Sequence, residues 1–276
     1  MGCTGLPGWL RWSAARHQEE SNAATTGPQN VLARSTSNSD RHAATLPLED
    51  PTDYRRPTVT AFSTSQHHPV VDGPAVRAAL RRCRLVVERH AAYLTRLDAV
   101  LGDGDHGDNL VIGFRAVEAM LEDLAPDTAP GELLRAVGYR LVAAVGGASG
   151  PLYGTAFLEA GAAAGDSPTI DASTLGRMLK TGCDGLARRG RCTVGDKTML
   201  DALRPASDAF TASIEAGGML ASAMGVAVQA AARGMRSTRP LVARRGLALR
   251  LGDKSIGHLD PGAVSAMLLL RAIADG

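Results

Sequence analysis

From about residue 71 onward, apolar residues return at steps of three, four and seven, and they nowhere settle into the alternation of a strand. Val76, Leu80, Cys83, Val87, Leu94 and Leu97 fall on one helical face. Leu110, Phe114, Val117 and Leu121 repeat the stripe after a glycine-rich break, and Leu134, Val137, Leu141 and Val145 form a third after Pro130-Gly131. This spacing matches the 3.6-residue turn, so each stripe needs a partner helix to cover it. A fourth helix is expected from Pro151, because proline suits the first helical turn. Further helices are expected near 171–189, 198–216, 218–236 and 261–274. The sum is an all-α bundle of about eight helices with short connections. Runs of small residues, Ala160 to Gly165 and Ala221 to Ala232, let helices approach closely.

Residues 1–70 read differently. They hold six of the 14 prolines, stretches such as Ser35 to Asp40, and no sustained apolar period. Such a segment cannot bury enough apolar surface to offset its chain entropy, so it is expected to be a disordered extension before a helical domain over 71–276. It has no basic leader followed by an apolar stretch, and Leu6 stands where a myristoylation site needs Ser or Thr. Across the whole chain 30 basic residues face 28 acidic ones, a net charge of +2. That balance argues against non-specific binding to nucleic acid or anionic lipid. No apolar run approaches the ~20 residues of a membrane span. Cys3, Cys83, Cys183 and Cys192 are scattered, without a C-x-x-C pair, which suits a reducing, cytoplasmic setting better than a zinc or disulfide scaffold.

Between the helices lie four glycine-rich polar clusters, roughly 50 residues apart. The first, Asp98 to Asn109, places Asp98 at a helix end, Asp103 and Asp105 in a loop, and Asn109 at the next helix start. Three carboxylates this close repel one another, and a hard cation such as Mg²⁺ would compensate them; the plain alternative is a solvated loop with a helix cap. An EF-hand is ruled out, because Asp108 and Phe114 stand where that loop needs Gly and Glu. The second, Gly146 to Gly154, runs a glycine-rich loop into a helix N-terminus, which is either a phosphate site or a tight turn. The third, Gly190 to Asp201, is a near miss to a P-loop, with Asp196 between Gly195 and Lys197 and no strand before it. The fourth, Gly252 to Ala263, reads Asp260-Pro261 as a cap followed by a first-turn proline. A magnesium–phosphate site shared by several helix ends accounts for all four together.

In order and spacing these motifs resemble the DhaL-type subunit of dihydroxyacetone kinase, from about residue 74 to the end: Asp98…Gly102-Asp103-Gly104-Asp105-His106-Gly107…Asn109, Gly146 to Gly154, Gly195 to Met199, and Ser255-Ile256-Gly257-His258…Asp260 to Ala263. The resemblance implies an antiparallel bundle of eight helices with a nucleotide, ADP or ATP, in the loops at one end. It implies two Mg²⁺ ions held by Asp98, Asp103 and Asp105. It places His106, Gly107, Asn109, Ala148 and Ser149 at the nucleotide phosphates, and Gly190, Met199 and Asp260 around the rest of the nucleotide. No residue of this chain is expected to act as a nucleophile; His106 is given a positioning role, and His258 the ordering of its loop.

The resemblance also implies a DhaK-type partner that holds dihydroxyacetone. In the stand-alone branch, a phosphotransferase-type DhaM subunit re-phosphorylates bound ADP from phosphoenolpyruvate. One departure stands out. The arginine that the family places at the nucleotide falls on Leu247, which offers a phosphate no donor, with Arg245 and Arg250 as the nearest substitutes. That departure keeps a second reading open, a catalytically weak relative acting as a regulatory or protein-binding module.

Overall fold

The computed structural model describes residues 70–276, so the extension read as disordered lies, but for Val70, outside the described residues. Eight α-helices follow in order: α1 Gly73–Leu101, α2 His106–Asp123, α3 Pro130–Ala144, α4 Ser149–Ala164, α5 Ala172–Gly190, α6 Leu200–Glu215, α7 Leu220–Ser237 and α8 Pro261–Ala274. Local chemistry starts several of them. Asp72, Asp171 and Asp260 each accept a first-turn N–H, from Ala75, Thr174 and Ala263, at 2.7–2.9 Å. Proline sits in the first turn of α1, α3 and α8, where its missing N–H costs no helical bond.

Each helix packs on its neighbours in sequence, and α8 returns to pack on α1, so the eight close into a ring. Short connections make α1 to α7 successively antiparallel, and the longer 238–260 segment brings the start of α8 back to the end that holds Asp98, Ala148 and Met199. Every second connection therefore falls at the same end: 102–105, 145–148, 191–199 and 238–260 at one, 124–129, 165–171 and 216–219 at the other. The four glycine-rich clusters are the first set. Inside the ring, Leu94, Leu110, Phe114, Val137, Leu141, Leu186, Phe210 and Met235 are fully buried. α8 is buried along every position from Ala263 to Leu270, as befits a helix that touches α1, α6 and α7 at once.

Three features depart from the sequence reading. α4 begins at Ser149, two residues before Pro151, which still falls in the first turn. Val71–Asp72 and Thr169–Ile170 form a two-residue antiparallel pair, too short to show any alternation. A 3₁₀ segment, Leu247–Ser255, kinked at Gly252, fills the connection before α8. No helix among the described residues is long and apolar enough to cross a membrane.

The small-residue seams act as expected. A Cβ on Gly131 of α3 would collide with the Gly165 carbonyl and press on that of Gly161. Pro205, inside α6, has no N–H to offer the Asp201 carbonyl, and it is this carbonyl that Gly234 of α7 packs against. Gly131→Ala is expected to destabilise the fold by about 1–3 kcal/mol through overpacking of backbone on backbone. Urea melts check this as a lowered midpoint with an unchanged slope.

Candidate nucleotide and metal site

The α1–α2 loop is built around one carboxylate. Asp98, in the last turn of α1, accepts on Oδ2 from the backbone N–H of Gly104, Asp105 and His106 at 3.0, 3.0 and 3.2 Å. Three successive donors on one oxygen fix the path of the loop. That path brings carboxylate oxygens of Asp98, Asp103 and Asp105 within 4.8 Å of one another, with Asp98 half-buried and the other two exposed. The Asp105 carboxyl is raised above the usual range, first by burial and then by Asp103 and Asp98, against a lowering hydrogen bond from Asn109. Hard oxygen donors, mutual repulsion and open access for water fit Mg²⁺.

His106 opens α2 with both ring nitrogens engaged. Nδ1 lies 3.0 Å from Ser149 Oγ, and Nε2 lies 2.8 Å from Ser265 Oγ, which also meets the Tyr153 hydroxyl at 2.7 Å. The ring is buried, and burial holds its pKa below the ordinary histidine value, so it is neutral at pH 7. It ties the start of α2 to the first turns of α4 and α8. At the α4 start no side chain among the described residues caps the free N–H groups. Ala148 and Ser149 thus present the positive end of a helix, a ready anion site.

The remaining two loops are also held by charged groups bonded to backbone. Asp201 is buried and accepts from Gly195 N at 2.6 Å and Thr198 N at 2.7 Å. Lys197 is the residue that gave the third cluster its P-loop look. Its side chain is turned inward, and Nζ donates to the carbonyls of Thr238 at 2.7 Å and His258 at 2.5 Å. His258 thus orders its loop through the main chain, with its ring exposed. Asp260 caps α8, and its carboxyl is pushed up to about 7, first by burial and further by Asp201 and Asp98, while Lys197 and the Ala263 N–H pull it back.

These loops enclose a cleft of about 730 Å³. Of the residues singled out in the sequence, Asp98, Asp103, Asp105, His106, Ala148, Ser149, Gly190, Met199 and Asp260 line it. Gly107 and Asn109 lie behind the lining. Gly107 is buried where a Cβ would strike the Ala91 carbonyl, and the Asn109 amide sits against Gly146. The cleft also takes Leu152, Leu186 and Arg189, and the support behind it takes Tyr153 and Ser265. Nothing local marks these residues, which read as ordinary positions on helical stripes; only the ring closure brings them here.

A family model described as the DAK2 domain matches residues 100–275. The chain belongs to the DAK2-domain family. It is 39% identical over 209 residues to the Listeria innocua protein named PEP-dependent dihydroxyacetone kinase 2, ADP-binding subunit DhaL, covering 75% of this chain and 95% of that one. It is 38% identical over 195 residues to the Escherichia coli K12 protein named PEP-dependent dihydroxyacetone kinase, ADP-binding subunit DhaL, covering 71% and 92%. A solved structure, titled as the dihydroxyacetone kinase from C. freundii in complex with AMP-PNP and Mg2+, shares the fold at a TM-score of 0.56 and 24% identity. That alignment takes in 80% of this chain and 38% of the kinase chain, so this DAK2 protein spans well under half of that molecule.

Within this DAK2 domain, Asp260 makes the site sensitive to pH. Its carboxyl rises from an unfolded value near 3.8 to about 7 on folding. The folded state therefore binds the extra proton between about pH 4 and 7, and the contribution of Asp260 to stability falls as pH rises through that window and levels off above it. Asp260→Asn keeps the cap acceptor and is expected to flatten that decline. Urea melts across the pH series check this, and an equal slope in the variant would contradict it.

Proposed function

We propose that this chain is the nucleotide-binding, phosphoryl-transfer subunit of a dihydroxyacetone kinase complex. The observation that carries the reading is the juxtaposition at one end of the ring: Asp98, Asp103 and Asp105 within 4.8 Å of one another, joined through His106 to the open N-terminus of α4. Asp98, Asp103 and Asp105 would hold two Mg²⁺ ions. Bound there, magnesium neutralises phosphate charge as phosphoryl transfer requires. The protein's own part is positioning. Asp98 holds the loop, the N–H groups of Ala148 and Ser149 receive phosphate oxygens, and His106 orients the Ser149 hydroxyl. Gly190, Met199 and Asp260 surround the rest of the nucleotide, with Gly107 and Asn109 supporting from behind.

The names of the Listeria and Escherichia relatives support ADP as the resident nucleotide and phosphoenolpyruvate as the phosphate source. On this reading a DhaK-type partner carries dihydroxyacetone to the cleft, and a DhaM-type subunit restores the nucleotide phosphate. Buried free thiols at Cys83, Cys183 and Cys192 suit work in a reducing cytoplasm.

Calorimetry on the full chain tests the reading. Mg-dependent ADP binding is expected, and Asp103→Ala is expected to abolish the magnesium dependence. The reading fails if ADP does not bind, or if the variant binds it just as the parent does. Binding without turnover, when a DhaK-type partner and dihydroxyacetone are supplied, would instead mark a regulatory relative.

A further inference from the structure

Lys197, Arg189, Arg245 and Arg250 all line the cleft, and they are not equivalent. The Lys197 ammonium is committed to two backbone carbonyls. Arg189 and Arg250 are exposed, and neither is tethered by a side-chain hydrogen bond among the described residues. Arg245 is different. Its Nε donates to Asp196 Oδ2 at 3.1 Å, and Asp196 is itself nearly buried, with 6% of its side chain exposed against 45% for Arg245. The same Asp196 oxygen accepts the Thr193 N–H at 3.0 Å. The main chain on either side is pinned as well: Ala243 N donates to Ser255 Oγ at 2.8 Å, and Arg244 N donates to the Asp196 carbonyl at 3.1 Å. Gly246 then turns the chain away with φ of 63°, which leaves Arg245 at the corner.

The guanidinium is thus anchored at Nε while Nη1 and Nη2 hold no partner among the described residues. An outer guanidinium edge with two parallel donors matches a phosphate, and anchoring lowers the rotamer entropy lost when it binds one. Two residues on, Leu247 lines the same cleft with no donor to give.

We propose that Arg245 is a nucleotide-phosphate ligand of this protein, gripping phosphate oxygens through its Nη edge while Asp196 holds its Nε. This rests on the nucleotide reading of the cleft and names the group that supplies cationic contact where Leu247 cannot.

The test compares Mg–ADP with adenosine, which lacks the phosphates, by calorimetry on the full chain. Arg245→Met is expected to weaken Mg–ADP by about 10- to 100-fold, the range of a lost charge-assisted pair, and to change adenosine affinity less than about 2-fold. Arg245→Lys, which keeps the charge and loses the paired donors, is expected to recover part of the loss. Unchanged Mg–ADP affinity in Arg245→Met overturns the proposal alone, as does an equal loss for adenosine, which would mean a merely structural residue. A parent protein that binds no Mg–ADP overturns the functional reading and this proposal with it.

Discussion

The closure of eight antiparallel helices into a ring is the constraint on which the site depends. In such a ring the connections after odd-numbered helices share one end, whatever their sequence. Four glycine-rich loops separated by whole helix pairs then become neighbours without any long-range signal among them. α8 makes the closure firm. Its unbroken run of buried positions wedges between α1, α6 and α7, and Asp260 at its start reaches the loops.

The charged groups around the cleft fall into two kinds. Those that shape it are bonded to backbone: Asp98 to three N–H groups, Asp201 to two, Lys197 to two carbonyls. Such bonds hold loops rigid without a flexible partner side chain, so donors and acceptors are set before any ligand arrives. Asp103 and Asp105 are left exposed, with oxygens facing one another and Asp98 at short range. In this cleft the buried charges are satisfied by backbone, and the exposed ones, Asp103 and Asp105 among them, are left to face solvent.

Much of this was legible in the residues. Aspartate followed by proline announced the start of α8, and the apolar stripes located the helices to within a few residues. Features without a local code are not legible there. The α4 start lies at Ser149, whose Oγ meets His106 Nδ1 from the start of α2, a contact 43 residues apart in sequence. The short strand pair had no room to alternate. Lys197 carried the look of a phosphate lysine, yet its side chain points inward, a choice made by the carbonyls of Thr238 and His258, 41 and 61 residues further along.

The sequence by itself determined the helices, their order, the acidic trio at Asp98, Asp103 and Asp105, and the family, because periodicity, caps and glycine spacing are local properties of the chain. Only the tertiary structure decided which polar groups face the cleft and which turn away. His106 became a buried bridge, Lys197 a brace between loops, and Arg245 an anchored guanidinium with a free edge. The reason is physical: a side chain takes the partner that satisfies its hydrogen bonds once buried, and those partners lie on helices that meet only when the ring closes.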